Sequence, residues 1–162
     1  MTKRRLVIGI SDAEVSGDPS DVLVTYSLGS CIGACLYDPA LRVGGMLHYQ
    51  LPTSTMDVAR ARDNPFMFAD TGMEWLLAKL VAMGANKRRM QVRLAGGATM
   101  ATGPQGFDIG KRNYLAMRKI LWSHGMFINA EDVGGSSARN LFMNVADGAV
   151  TIRSNGLERH LN

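Results

Sequence analysis

The residues VLVTYSLGSCIGACLYDPALRVGGMLHYQL, positions 22–51, carry the clearest strand pattern in the chain. Three short apolar runs in it have the length and composition of strands: Val22–Tyr26, Ile32–Tyr37 and Met46–Leu51. The dipeptide Asp38-Pro39 marks a turn between the second run and the third. We therefore predict a sheet here, with the last two strands paired as an antiparallel hairpin.

Two helix patterns lie further along the chain. The first begins at the capping box Thr71-x-x-Glu74 and ends at Gly84, because glycine readily adopts the left-handed conformation that terminates a helix. The second covers Tyr114–Ser123, where apolar residues recur at helical spacing. The two predicted helices are therefore separated by about thirty residues, which contain one of the strands described next.

Short apolar runs elsewhere predict further strands. They are Leu6–Ile10, Gln91–Ala95, Met126–Asn129, Asn140–Val145 and Ala149–Arg153. The dipeptide Asp147-Gly148 predicts a hairpin turn between the last two, of the type that accepts two positive φ angles. Strands outnumber helices, and the helices come late in the chain. This order favours an α+β layered sandwich over a doubly wound parallel sheet.

The chain has 162 residues, which is the length of one ordinary domain. No internal repeat, linker or low-complexity run divides it. A content of 46% hydrophobic and 20% charged residues is typical of a globular protein. We therefore predict a single domain that covers residues 1–162.

Charge and hydropathy argue against two classes of protein. Eighteen Lys and Arg against fourteen Asp and Glu give a net charge of +4, but the only basic clusters, Lys3-Arg4-Arg5 and Lys87-Arg88-Arg89, flank predicted strands without an aromatic-and-basic motif. We therefore predict no nucleic-acid partner. The longest uncharged stretch, Val22–Tyr37, is too short and too polar to span a bilayer, and the first apolar run is too short for a signal peptide. No membrane insertion and a cytoplasmic location are predicted.

Cys31 is a candidate nucleophile because it follows a Leu-Gly-Ser turn, where outward-pointing amides lower the pKa of a thiol and bind an oxyanion. If the hairpin turns at Pro39-Ala40, Cys31 lies directly opposite His48, with β-carbons about 5 Å apart. At that distance the imidazole can hold the proton of the thiol. Thr25 precedes the turn, and its hydroxyl is within reach of the other imidazole nitrogen.

Other interpretations of these residues stay open at this point. A cysteine in an apolar strand is most often a small core residue, and this description fits Cys35 well. His48 is equally compatible with a core position. A metal site formed by Cys31, Cys35 and His48 lacks a clear fourth ligand. A cysteine–histidine pair also fits other acyl-transfer enzymes, such as a transglutaminase or a protease.

The motifs around these residues resemble the chemoreceptor glutamine deamidase (CheD) family. The resemblance is carried by Thr25-Tyr-Ser-Leu-Gly-Ser-Cys31-Ile-Gly and by His48-x-x-Leu51-Pro52, and it continues in later blocks in the same order. These blocks are Gly96-Gly97-Ala98, Ile109-Gly110-Lys-Arg-Asn113, Asp132-Val-Gly134-Gly135 and Arg139 before a strand. The resemblance covers roughly residues 6–152.

The resemblance implies a function and a site. Cys31 matches the family nucleophile, His48 the general base and Thr25 the residue that orients the histidine. The implied fold is a three-layer α/β sandwich with mostly antiparallel strands, similar to glutamine-deamidating toxins. The implied substrates are glutamines on the cytoplasmic helices of methyl-accepting chemotaxis receptors, converted to glutamate through a cysteine thioester, without a cofactor or a metal. Some members also bind a CheC-type phosphatase, so a non-catalytic role as its adaptor or regulator is the alternative.

Overall fold

Residues 22–51 form three successive strands, and the rest of the fold is built on them. The computed structural model of the protein describes residues 2–99 and 108–162. Ten strands lie within these residues. They are β1 (Arg4–Ile8), β2 (Asp12–Ser16), β3 (Asp21–Leu28), β4 (Ile32–Asp38), β5 (Val43–Tyr49), β6 (Gln91–Gly96), β7 (Ala130–Val133), β8 (Arg139–Asn144), β9 (Val150–Ser154) and β10 (Leu157–His160).

Three α-helices accompany the strands within the same described residues. They are α1 (Val58–Asp63), α2 (Ala69–Ala82) and α3 (Ile109–Ser123). Two short 3-10 turns, Ser54–Met56 and Pro65–Met67, flank α1. No helix in the described part of the chain is both long enough and apolar enough to cross a membrane.

The strands form two five-stranded sheets. The first sheet has the order β1-β3-β8-β9-β10, and the second has the order β2-β5-β4-β6-β7. The β1–β3 and β6–β7 pairs are parallel, whereas the other six pairs are antiparallel. The prediction of mostly antiparallel strands is therefore confirmed.

The second sheet is the middle layer of three. One of its faces packs against α2 and α3, where Leu47 of β5 joins a core that includes Leu76 and Met117. Its other face packs against the first sheet, where Met46 of β5 joins a core that includes Leu141. Every residue of β4 and β5 is buried because both faces of these strands are covered. The predicted α+β class and the three layers are confirmed, while the similarity to bacterial toxins stays a prediction.

The β4–β5 hairpin differs in register from the prediction. His48 pairs with Gly33, and Asp38 pairs with Val43, so four residues form the turn and its centre lies one position later than Pro39-Ala40. Arg42 closes the turn with a φ of 56° and donates its amide to the Asp38 carbonyl. The prediction that Cys31 lies directly opposite His48 is therefore wrong. The shift moves each partner by two residues and leaves the side chains on the same face.

The predicted start of α2 at the capping box is also wrong. The helix begins at Ala69, and the Thr71 hydroxyl donates to the Pro65 carbonyl instead of capping the helix. α3 begins at Ile109, five residues before the predicted start, because the Asp108 carboxylate caps it by accepting from the Lys111 amide. The predicted stop at Gly84 is confirmed, with a φ of 98°.

Several observed strands also differ from the predicted ones. Met126–Asn129 is not a strand, since the pairing with β6 begins only at Ala130. β2, β10 and α1 were not predicted. The β8–β9 hairpin around Asp147-Gly148 is confirmed, although only Gly148 of the two has a positive φ, at 74°.

Candidate active site

Thr25 and His48 form a hydrogen bond that joins the two sheets. Thr25 lies on β3 and His48 on β5, and both side chains are fully buried. The Thr25 Oγ1 lies 2.7 Å from the Ile8 carbonyl, to which it donates, and 2.7 Å from His48 Nδ1. Because the hydroxyl has one proton and gives it to Ile8, Nδ1 must be the donor to Thr25. The geometry therefore assigns the proton of the neutral imidazole to Nδ1 and leaves a lone pair on Nε2.

The Nε2 atom of His48 is buried and has no hydrogen-bond partner among the described residues. Burial lowers the pKa of His48 to about 4, so the ring is neutral at neutral pH. A buried nitrogen without a partner is uncommon in folded proteins and calls for an explanation. Here the free lone pair can accept a proton from a group that reaches it, which is the property of a general base.

Cys31 lies immediately before β4 and faces the same space between the sheets as His48. Its side chain packs against the core between the two sheets and is only partly buried. Burial raises the pKa of the Cys31 thiol, and the opposing effect of its own backbone amide is smaller. The predicted lowering of this pKa by a backbone amide is present, but burial outweighs it and the net shift is upward. At neutral pH the thiol is protonated and needs a base to become a nucleophile.

The relation of Cys31 to His48 is diagonal. His48 pairs with Gly33, and Cys31 precedes Gly33 by two residues, a spacing that places α-carbons about 7 Å apart across a sheet. The hydrogen bonds among the described residues include none between the Cys31 sulfur and Nε2. In free enzymes such bonds are often long and shorten only when substrate binds.

Gly33 is important because it lies opposite His48 without a side chain. A β-carbon at this position would lie 2.7 Å from Leu141 and 2.9 Å from Leu28, both of the first sheet. The absence of a side chain therefore lets the first sheet approach the second closely. This close approach brings Thr25 within hydrogen-bond distance of the histidine.

The turn that carries Cys31 is held by the loop after β6. Gly97 donates its amide to the Cys31 carbonyl at 2.8 Å, and Ala98 donates to the Gly29 carbonyl at 2.9 Å. Gly96 has a φ of 111°, and a β-carbon on it would lie 2.1 Å from the Cys31 carbonyl oxygen. Only glycine fits a backbone contact this close.

Two buried polar side chains support these loops, and the prediction of site residues did not include them. Arg139 donates to the Gly96 carbonyl at 3.0 Å and forms an ion pair with Asp132 at 3.5 Å. Asn113 donates to the carbonyls of Ser30 and Gln50. Both residues stand in motifs of the family resemblance, and that is the sequence signal by which they can be found.

Cys35 takes no part in this arrangement. It is fully buried, and burial raises the pKa of its thiol to about 12. Both cysteines are free. Within residues 2–99 and 108–162, no three His, Cys, Asp or Glu side chains are grouped so that they can hold a metal ion. The alternative of a site formed by Cys31, Cys35 and His48 is therefore not realised.

The basic clusters have structural contacts. Arg4 forms an ion pair with the buried Asp21, and Arg89 forms one with the buried Asp38, each at 2.8 Å. Hydrogen bonds from Arg89 lower the pKa of Asp38 to about 2. These pairs hold strand ends, since Arg4 begins β1 and Asp38 ends β4.

Comparison with known proteins gives one matching family, described as CheD chemotactic sensory transduction, over residues 50–154. Similar full-length relatives carry the name probable chemoreceptor glutamine deamidase CheD. The relative from Solibacter usitatus is 48% identical over 157 residues, covering 97% of this chain and 93% of the relative. CheD 1 from Syntrophus aciditrophicus is 42% identical, with 93% and 94% covered. CheD 2 from Anaeromyxobacter dehalogenans is 46% identical, with 92% and 94% covered.

Proposed function

This chain belongs to the CheD family, and we propose that it is a protein-glutamine deamidase acting on methyl-accepting chemotaxis receptors. The observation that carries the proposal is the Thr25–His48 hydrogen bond, which leaves a free lone pair on the face that Cys31 shares. The names of the relatives supply the substrate class, since they are called chemoreceptor glutamine deamidases. The product is glutamate, and ammonia is released.

Each of the three residues has one role in this proposal. Cys31 is the nucleophile, His48 is the general base, and Thr25 orients the imidazole. The raised pKa of Cys31 and the lowered pKa of His48 both favour a neutral thiol and imidazole in the free enzyme. Proton transfer therefore accompanies attack, in contrast to enzymes that store a thiolate–imidazolium ion pair.

The first half of the reaction forms a thioester. The Cys31 sulfur attacks the carboxamide carbon of the glutamine while its proton moves to His48 Nε2. The carbonyl oxygen becomes an oxyanion that accepts hydrogen bonds from backbone amides, with the Cys31 amide as a candidate donor. The imidazolium then protonates the departing nitrogen, the carbon–nitrogen bond breaks, and ammonia leaves.

The second half restores the enzyme. His48, again neutral, accepts a proton from a water molecule that attacks the thioester carbon. The carbon–sulfur bond breaks, the sulfur regains its proton from the imidazolium, and the side chain leaves as glutamate. The sum of the two halves is glutamine plus water giving glutamic acid plus ammonia, which are glutamate and ammonium at neutral pH, so no cofactor is required.

Domain extent and location follow from the same proposal. Residues 1–162 act as one CheD-like domain, supported by the relatives that span nearly the whole chain. The location is cytoplasmic, where the receptor helices carry their glutamines.

A docking role is the alternative function. In it, the chain serves as a non-catalytic adaptor or regulator of a CheC-type phosphatase. The observation that favours contact with a protein partner is that two strongly exposed aromatic side chains, Trp122 at 82% and Phe127 at 79%, line the same groove.

The deciding experiment incubates the protein with a receptor cytoplasmic fragment and maps the peptides by mass spectrometry. Each converted glutamine raises a peptide mass by about one dalton with release of ammonia, and a Cys31→Ala variant is inert. Activity that survives this substitution refutes the nucleophile. Cross-linking to an added primary amine, or cleavage of the chain, identifies a different acyl-transfer enzyme. Equal stimulation of a CheC-type phosphatase by wild type and Cys31→Ala supports the adaptor role.

A further inference from the structure

We infer that Asn113 is a positioning residue for the deamidation reaction, which holds the Cys31 turn and the end of the His48 strand at a fixed separation. The inference rests on the proposed function. In this inference, a residue of α3 that is not one of the three proposed catalytic residues fixes the distance between the nucleophile and the base.

The contacts of Asn113 connect the two halves of the site directly. Its Nδ2 atom donates to the Ser30 carbonyl at 3.0 Å and to the Gln50 carbonyl at 2.8 Å. Ser30 immediately precedes Cys31, and Gln50 follows His48 by two residues. One carboxamide therefore joins the segment of the nucleophile to the segment of the base, and both of its N–H bonds are used.

The chemistry of the side chain explains why asparagine suits this position. Both acceptors are carbonyl oxygens, so one atom of the side chain must supply two donors. A hydroxyl has only one donor. A carboxylate has none, and its oxygens would repel both carbonyl oxygens. The Oδ1 atom of Asn113 is buried without a hydrogen-bond partner among the described residues. A buried acceptor without a partner costs free energy. The two hydrogen bonds that the Nδ2 atom donates offset this cost.

The helix that carries Asn113 is itself fixed against the site. Tyr49, next to His48 and fully buried, donates its hydroxyl to the Asn113 backbone carbonyl at 2.7 Å. On the same turn of α3, a β-carbon on Gly110 would lie 2.4 Å from the Ala98 carbonyl, in the loop that binds the Cys31 turn. Because α3 is held at both points, it cannot shift to compensate when the Asn113 side chain is removed. The Cys31 turn moves instead.

Asn113 is fully buried, so its side chain does not contact the substrate. Its removal should therefore lower kcat and leave KM within about threefold of wild type. A displacement of about 1 Å at a reacting group costs roughly 100-fold in rate, and this is the loss expected for Asn113→Ala. The same displacement should slow the reaction of Cys31 with iodoacetamide at pH 7, because His48 assists the loss of the thiol proton.

The control variant is Asn129→Ala. Asn129 also uses its carboxamide to hold the backbone, accepting from the Val92 amide at 2.7 Å, but it lies at the far end of β6. Both substitutions should lower Tm, whereas only Asn113→Ala should lower kcat and the alkylation rate of Cys31. If Asn113→Ala fails to fold, Asn113→Asp preserves the shape. Its kcat should then rise as the pH falls, because the protonated carboxyl regains one donor.

The outcomes separate the inference from the function on which it rests. A kcat and an alkylation rate for Asn113→Ala within about threefold of those of Asn129→Ala overturn the inference. A pH profile of Asn113→Asp parallel to that of wild type overturns it as well. If the wild-type protein converts no glutamine, the proposed function fails, and the alkylation rates alone still test the positioning of Cys31.

Discussion

Replacing Thr25 by valine tests the arrangement of the site most directly, because valine has the same shape and lacks the hydroxyl. The substitution removes the hydrogen bond to the Ile8 carbonyl and leaves His48 Nδ1 buried without an acceptor. An unpaired buried donor costs about 1–3 kcal/mol, and the second hydrogen bond contributes about 1 kcal/mol. We expect the free energy of unfolding of Thr25→Val to fall by about 2–4 kcal/mol.

The same substitution should also slow the reaction. Without an acceptor at Nδ1, nothing in the site favours the tautomer that keeps a lone pair on Nε2 of His48. General base catalysis contributes about 10²–10⁴-fold, so kcat of Thr25→Val should fall by roughly this factor while KM changes little. Mass spectrometry of a receptor fragment, at a temperature where the variant is folded by circular dichroism, measures the loss.

The matched control is Thr25→Ser, which keeps the hydroxyl and loses one buried methyl group. It should cost about 1 kcal/mol of stability and retain most of the activity. If Thr25→Val and Thr25→Ser deamidate at equal rates, the histidine does not need this hydrogen bond. The proposed role of Thr25 would then be refuted.

Three further predictions concern other parts of the site. Burial lowers the pKa of His48 from 6.5 to about 4. Between these two pH values His48 binds a proton in the unfolded chain but not in the folded chain, so the free energy of unfolding decreases as the pH falls. Urea titrations should show a decrease of about 2 kcal/mol from pH 7 to pH 5. His48→Gln should lose this slope, and equal slopes would contradict the assignment. Gly96→Ala should unfold the protein or abolish deamidation, since its β-carbon meets the Cys31 carbonyl oxygen at 2.1 Å. Gly156→Ala, also at positive φ but with open space around it, should cost only about 1 kcal/mol in thermal unfolding. Iodoacetamide at pH 8 should modify Cys31 and spare Cys35, whose thiol is buried with a pKa of about 12; peptide mapping that finds Cys35 modified in the folded protein would disprove this.

The pattern of strands and helices predicted an α+β layered sandwich because apolar periodicity depends on burial, whereas the number of layers was implied only by the family resemblance. β4 was predicted almost to the residue, since both of its faces are covered and it reads as a continuous apolar run. The contact between Thr25 and His48 was also expected, and the structure contains it. Their catalytic roles, with that of Cys31, stay proposals.

The register of the hairpin was not predictable from local signals. Pro39 indicated a turn, but the last residue of the turn is Arg42, which has a left-handed conformation. Glycine or asparagine usually occupies such a position, so the arginine gave no signal for it. The predicted strand begins at Met46, whereas Gly44 and Gly45 also belong to β5. Leu76 of α2 fills the space beside Gly45, where a β-carbon would lie 2.6 Å from it. This packing comes from a distant part of the chain.

The start of α3 was missed for a similar reason. Gly110 weakens the helical pattern of the sequence, yet glycine is required there because the helix presses against the carbonyl of Ala98. Asn113 was likewise only a motif residue, because its two acceptors come from segments more than sixty positions away. Contacts of this range are set by the assembled fold and not by local periodicity.

The bridge between Thr25 and His48 makes the imidazole sensitive to sliding of one sheet over the other. Some denaturant concentrations should loosen this interface while α2 and α3 still cover the second sheet. Deamidation would then stop before the circular dichroism signal of the helices decreases. The loss of activity would therefore report the separation of the two sheets before the helices unfold. A ligand that binds both sheets would extend the range of denaturant concentration over which the protein is active.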